Sequence, residues 1–226
     1  MDYIMEESTL VENPVTITEA GVRKLAKAAK GKIVKIYLHW TAGHYGHDYR
    51  DYHLCVDKDG TVYVNCDALT EKRCHTWLRN EGSIGVALCC AADARCWCPV
   101  AVSPRRVRRA AQEGEAAGDC QARIDFGDEP PTEKQIDTMA KLVAILCKEL
   151  GLPVSMDTVI THCEIAFKDG YGPGGSDPDM RWDLWFLPDD ARQGELAPGG
   201  EVIRGKALFY QEEMKRRYGK EQGAVA

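Results

Sequence analysis

Apolar positions in the first third of the chain change period at a glycine. From Thr18, a helix-capping residue, Val22, Leu25, Ala26 and Ala29 recur at helical spacing; Ile17 can staple to Val22, and Gly31 ends the run. Ile33-Val34-Lys35-Ile36-Tyr37-Leu38-His39 then reads as a strand, apolar enough for the centre of a sheet. Residues 52–56 and 61–64 predict a hairpin turned on Asp57-Lys58-Asp59-Gly60. That turn resembles the start of a calcium loop, but the position where such a loop needs a bidentate glutamate is Ala68, so a plain turn is expected. Residues 84–89 form a second buried strand. Thr132-Glu133-Lys134-Gln135 is a capping box, and Ile136, Met139, Ala140, Val143, Leu146 and Leu150 continue it as a helix stopped by Gly151 and Pro153. Residues 157–162 read as a short strand ending in a histidine. A glycine-rich loop follows, then a packing cluster of Trp182, Trp185 and Phe186, and an amphipathic helix around residues 207–217.

This alternation predicts an α/β fold, a mixed central β-sheet flanked by helices. Residues 1–15 form an irregular N-terminal segment, 16–188 the main domain and 189–226 a helical tail. Residues 91–131 break the pattern with Cys96-Trp97-Cys98, the cluster Arg105-Arg106-Val107-Arg108-Arg109 and an acidic Ala/Gly-rich stretch, and read as an insertion at one edge. Lys and Arg number 29 against 35 Asp and Glu, a net charge of −6 that argues against a nucleic-acid binder. The Arg cluster reads as a solvated face paired with the acids after it. The longest nearly apolar run, residues 84–92, falls far short of the roughly 20 residues a membrane span needs. The acidic start Met1-Asp2-Tyr3-Ile4-Met5-Glu6-Glu7 is unlike a secretory leader, so synthesis as a cytoplasmic protein is expected. Ten cysteines are too sparse for a disulfide scaffold. Cys89-Cys90 with Cys96-x-Cys98 are a candidate second metal site, but no matching downstream pair follows, and Cys55, Cys66, Cys89, Cys147 and Cys163 read instead as small buried hydrophobes.

Two strands expected at the sheet centre end in histidine, at His39 and His162, and Asp177 follows the second past the glycine-rich loop. Two imidazoles and one carboxylate, with a fourth position left to water, make a catalytic zinc set. A strand-end histidine can equally be a surface or satisfied core residue, and spacing alone leaves both open.

The wording of the motifs adds to this. Tyr37-Leu38-His39-Trp40-Thr41-Ala42-Gly43, then Tyr52-His53-Leu54 before Asp59-Gly60, resemble the opening of the zinc-dependent N-acetylmuramoyl-L-alanine amidases. His75 with Ser83-Ile84-Gly85-Val86, and Thr161-His162-Cys163-Glu164 leading to Ser176-Asp177-Pro178, continue the likeness in order from about residue 33 to 188. This family includes phage lysozyme-amidases and peptidoglycan recognition proteins. The resemblance implies Zn2+ held by His39, His162 and Asp177 in a cleft at the strand ends, with Tyr52 as the active-site tyrosine. It implies peptidoglycan or muropeptide as partner, cut between the lactyl group of N-acetylmuramic acid and L-alanine. His75 matches a cleft histidine, either a substrate contact or a structural residue; Glu164 is expected to brace His162, and Cys163 to face away from the site. Two helpers are missing. The general-base glutamate of the bacterial branch is Ala87, and the lysine two residues before the third ligand is Gly175. Lys168 or Arg181 could supply that charge from the loop, as substrate-binding residues. A prophage-type endolysin acting on the cell wall is the expected function; a cytoplasmic wall-recycling amidase and a non-catalytic muropeptide-binding domain are the alternatives.

Overall fold

The computed structural model describes residues 9–97, 123–170, 182–189 and 195–223. Its centre is a five-stranded sheet in the order β3-β2-β4-β1-β7. Here β1 is Lys35–Trp40, β2 Leu54–Val56, β3 Val62–Val64, β4 Ser83–Leu88 and β7 Val159–Thr161. β2, β4, β1 and β7 run parallel, and β3 closes one edge antiparallel to β2. The fold is therefore the mixed α/β class expected from sequence.

Alternation along β1 assigns its two faces. Ile36, Leu38 and Trp40 point into the main core with Ile84, Val86 and Leu88 of β4 and Leu54 and Val56 of β2. Helices α1 (Glu19–Ala29) and α2 (Glu133–Leu150) cover that face. Both begin as their caps foretell: Thr18 accepts from the Gly21 amide, and Thr132 and Gln135 form a reciprocal capping box. Gly151 ends α2 in the left-handed conformation. Gln135, fully buried, donates from Nε2 to the carbonyls of Val56 and Cys89 at 3.0 Å each, tying the start of α2 to the ends of β2 and β4.

Tyr37 and His39 point to the opposite face, which carries the site. Two elements were not expected. Residues 162–169 form a helix, α3 (His162–Asp169), where a loop was read after the histidine. Lys168 therefore lies in the last turn of a helix, exposed, rather than in a loop. The tail helix is also longer: α4 runs Gly199–Gly223 and sends Val202, Ile203 and Ala207 into the main core beside α2. Two hairpins flank the domain, β5 (Arg95–Trp97) with β6 (Arg123–Asp125), and β8 (Phe186–Asp189) with β9 (Glu195–Pro198). The first lies within the expected insertion; its arginine cluster and Cys98 lie outside the described residues.

Candidate metal centre

Sheet register builds the site. β1 and β7 are parallel neighbours with Leu38 opposite Thr161, so His39 and His162 leave adjacent strands at the same level. Ligand sites of parallel sheets form in this crevice beyond the carboxyl ends of the strands. Thr161 ends β7 and caps α3: its hydroxyl accepts from the Glu164 amide at 3.2 Å, and the Glu164 carboxylate accepts from the Thr161 amide at 2.9 Å. That capping box makes His162 the first residue of a helix and fixes where its ring emerges.

The third group is Asp183. Its backbone carbonyl accepts from the Cys163 amide at 3.3 Å, which ties the Asp183 turn to the first turn of α3. The turn is held by Leu184, a buried leucine with φ of 57°. Left-handed backbone is costly for a leucine, and its persistence here shows how strongly the surrounding packing dictates this turn. Gly199 is needed beside it, because a Cβ there would come within 2.2 Å of the Leu184 carbonyl oxygen. Trp182 and Trp185 wall the turn, with Phe167, Phe186 and Cys163 packed against them, so Cys163 does face away from the site.

Three ligand atoms meet in this crevice. His39 Nδ1 lies 3.1 Å from His162 Nδ1 and 3.2 Å from Asp183 Oδ2, and His162 Nδ1 lies 3.2 Å from Asp183 Oδ1. His39 is fully buried, and His162 and Asp183 are each 8% exposed. Burial alone would raise the Asp183 carboxyl, but the adjoining imidazoles, His162 above all, outweigh it and hold the group below the usual carboxylate range. Tetrahedral zinc with bonds of about 2.0–2.1 Å would set neighbouring donor atoms roughly 3.3 Å apart. The observed triangle fits that set. His162 Nε2, buried and without a hydrogen-bond partner among the described residues, leaves Nδ1 as the nitrogen through which this ring engages the site.

The other expected residues fall around this triangle. Tyr52 is half-buried with its ring 5.1 Å from that of His39, and its hydroxyl donates to the Trp40 carbonyl at 3.5 Å. His75 is buried, its ring centroid 5.4 Å from that of His39. Gly85 makes room for it: a Cβ at that position would come within 2.6 Å of the His75 ring. Burial drives the His75 imidazole well below its ordinary range, so it stands neutral. His53 faces the same sheet neighbour differently, accepting from the Gly85 amide at 3.0 Å and donating to the Glu71 carbonyl at 2.8 Å. Ala87 is the register partner of His39 on β4 and packs with Cys55 and Cys89. Glu164 braces the site through the cap and through Arg204 of α4, whose guanidinium meets it at 2.8 and 2.9 Å.

Asp177, Gly175 and Arg181 lie outside the described residues. The carboxylate that the fold brings to both imidazoles is Asp183, which the sequence motifs did not single out. The signal was present: an acid between two tryptophans of a packing cluster must be paired to be buried. Thr76 and Arg204 were also passed over. Among the described residues, no second group of three His, Cys, Asp or Glu side chains converges, so the Cys89-Cys90 pair with Cys96 makes no metal site there.

A family model described as N-acetylmuramoyl-L-alanine amidase matches residues 29–178. Among solved structures, the PGRP-Hd from Alvinella pompejana is similar at 15% identity and a TM-score of 0.35, over 84% of this chain and 92% of that one. No curated protein matches the sequence.

Proposed function

Because the chain belongs to the N-acetylmuramoyl-L-alanine amidase family, we propose that it cleaves peptidoglycan between the lactyl group of N-acetylmuramic acid and L-alanine. The carrying observation is the buried convergence of His39, His162 and Asp183, a donor set suited to Zn2+. Bound there, zinc would polarise the scissile carbonyl and bring its water to a reactive state near neutral pH. His39 and His162 present ring nitrogens to the site, and Asp183 brings one carboxylate oxygen to each ring. The phenol of Tyr52, beside His39, can donate to the oxygen that gains negative charge in the transition state.

With Asp183 as third ligand, the residue two positions earlier is Arg181 rather than Gly175. The basic helper that the resemblance leads one to expect is then present in the sequence, and Lys168 is not needed for it. The missing glutamate remains missing, since Ala87 offers only a methyl group beside His39. Tyr52 together with Ala87 favours the phage-type endolysin over the wall-recycling amidase. Ala87 also keeps alive the second reading, a domain that binds muropeptides without turnover.

Metal analysis of the purified protein, paired with mass spectrometry of digested sacculi, tests both. We expect about one zinc per chain, as a single three-ligand site holds. Loss of metal and activity together is expected in His39→Ala, His162→Ala and Asp183→Asn. Asp177→Asn should retain both, and the reverse result would return the third ligand to Asp177. Tyr52→Phe should keep its zinc and slow by on the order of 10²–10³-fold. A zinc-loaded protein that leaves sacculi intact would be the binding domain.

A further inference from the structure

The ring nitrogen of His39 that faces away from the triangle enters a chain of side chains that, with every link a hydrogen bond and His39 neutral, carries its protons in one order. His39 Nε2 lies 3.3 Å from the Thr76 hydroxyl, and Thr76 Oγ1 lies 2.9 Å from His75 Nδ1. His75 Nε2 lies 3.5 Å from the Ser83 hydroxyl, the longest link, and that hydroxyl donates to the Arg79 carbonyl at 2.9 Å. All four side chains are buried, His39 fully and Thr76 and Ser83 to 2% exposure. A backbone carbonyl can only accept. Ser83 spends its one proton there and must accept from His75 Nε2–H. His75 Nδ1 is then a bare acceptor, so Thr76 donates to it. Thr76, its proton committed, can only accept from His39 Nε2–H. A neutral imidazole carries one N–H, so His39 Nδ1 is left as a lone pair aimed at His162 and Asp183.

We propose that Thr76 is a positioning residue that fixes the tautomer of His39, with His75 and Ser83 setting the direction of its hydroxyl. The inference rests on the proposed metal site. It gives His75 a defined task away from the substrate. The loop is built to hold Thr76 still: the Asn80 carboxamide oxygen accepts from the Thr76 amide at 2.8 Å and from the His75 amide at 3.2 Å. Arg79, next in the loop, is clamped to Asp169 by two bonds of 2.6 Å. Partners of this kind, which orient a metal-binding histidine through its other nitrogen, are worth about 10–100-fold in metal affinity.

The test uses Thr76→Val, nearly the same shape without the hydroxyl, and Thr76→Ser, which keeps it. Zn2+ affinity, measured by competition with a chromophoric chelator, should fall about 10–100-fold in Thr76→Val and stay close to the parent in Thr76→Ser. Circular dichroism melts identify the folded variants to be compared. Nitrogen-15 NMR of histidine-labelled, metal-free parent should show His39 and His75 both protonated at Nε2. Either the Nδ1–H tautomer at His39 or an unchanged Zn2+ affinity in folded Thr76→Val would overturn the proposal. The NMR arm needs no metal, so it judges the hydrogen-bond chain even if the parent binds no zinc and the metal reading itself fails.

Discussion

His53 shows what the site face demands of a single residue. Its two ring nitrogens are used in opposite senses, one accepting from Gly85 and the other donating to Glu71, which only the neutral ring can do. Burial pushes its imidazole down to about 4, despite the bond to the Glu71 carbonyl, which pulls the other way. A base depressed in the folded state contributes stability that is fully present above its unfolded value near 6.5. That stability is lost as the pH falls from about 6.5 towards 4. The shift corresponds to on the order of 3 kcal/mol at full protonation. Urea midpoints at pH 7 and pH 5 should therefore separate more in the parent than in His53→Gln, an amide able to make both bonds; equal separation would sink the assignment. Sequence reasoning from the strand neighbour Tyr52 puts His53 on the opposite face, yet its ring lies 5.6 Å from that of His75, beside the site. The same reasoning passed over Asp183 because Ser176-Asp177-Pro178 offered a more familiar wording nearby, while an acid set among tryptophans matches no motif.

Among the elements, those set by periodicity and caps were legible: α1, α2, the β2–β3 hairpin and the parallel strands all stand where their apolar positions put them. Helix α3 was hidden by economy. Thr161 both finishes a strand and caps a helix, so Thr161-His162-Cys163-Glu164 could be read as a site motif and its capping box overlooked. The early turns of α4 were hidden by Arg204, which sits on the buried side where an apolar stripe would be sought. Gly200 lets this contact form, because a Cβ there would come within 2.2 Å of the Glu164 carboxylate. Removing one partner of a buried ion pair leaves the other charge uncompensated, typically at 3–5 kcal/mol. Arg204→Met should cost about that much in chemical denaturation. Adding Glu164→Gln should recover much of it, since no unpaired charge then remains. A single variant within about 1 kcal/mol of the parent would show that the pair holds α3 only loosely.

For the molecule as a whole, the family match ends at residue 178, but the core does not. Val202, Ile203 and Ala207 of α4 are buried in the same core as α2 of the matched segment, and Asp183 follows that segment by five positions. A chain ending at Pro198 should accordingly lose its cooperative thermal transition; a sharp melt from that fragment would show that α4 is an accessory. The cysteines are distributed with a bias of their own. Six of the eight described thiols are buried and Cys66 is partly covered, while Cys74 alone is exposed among them. Burial lifts the thiols of Cys66 and Cys147 to about 12, where the reactive thiolate is scarce. Among these eight, an alkylating reagent would therefore find Cys74 first, immediately before His75 in the chain. A fluorophore or spin label attached there would ride on the loop that holds Thr76 and report, by its brightness or mobility, whether that loop tightens when the cleft is filled.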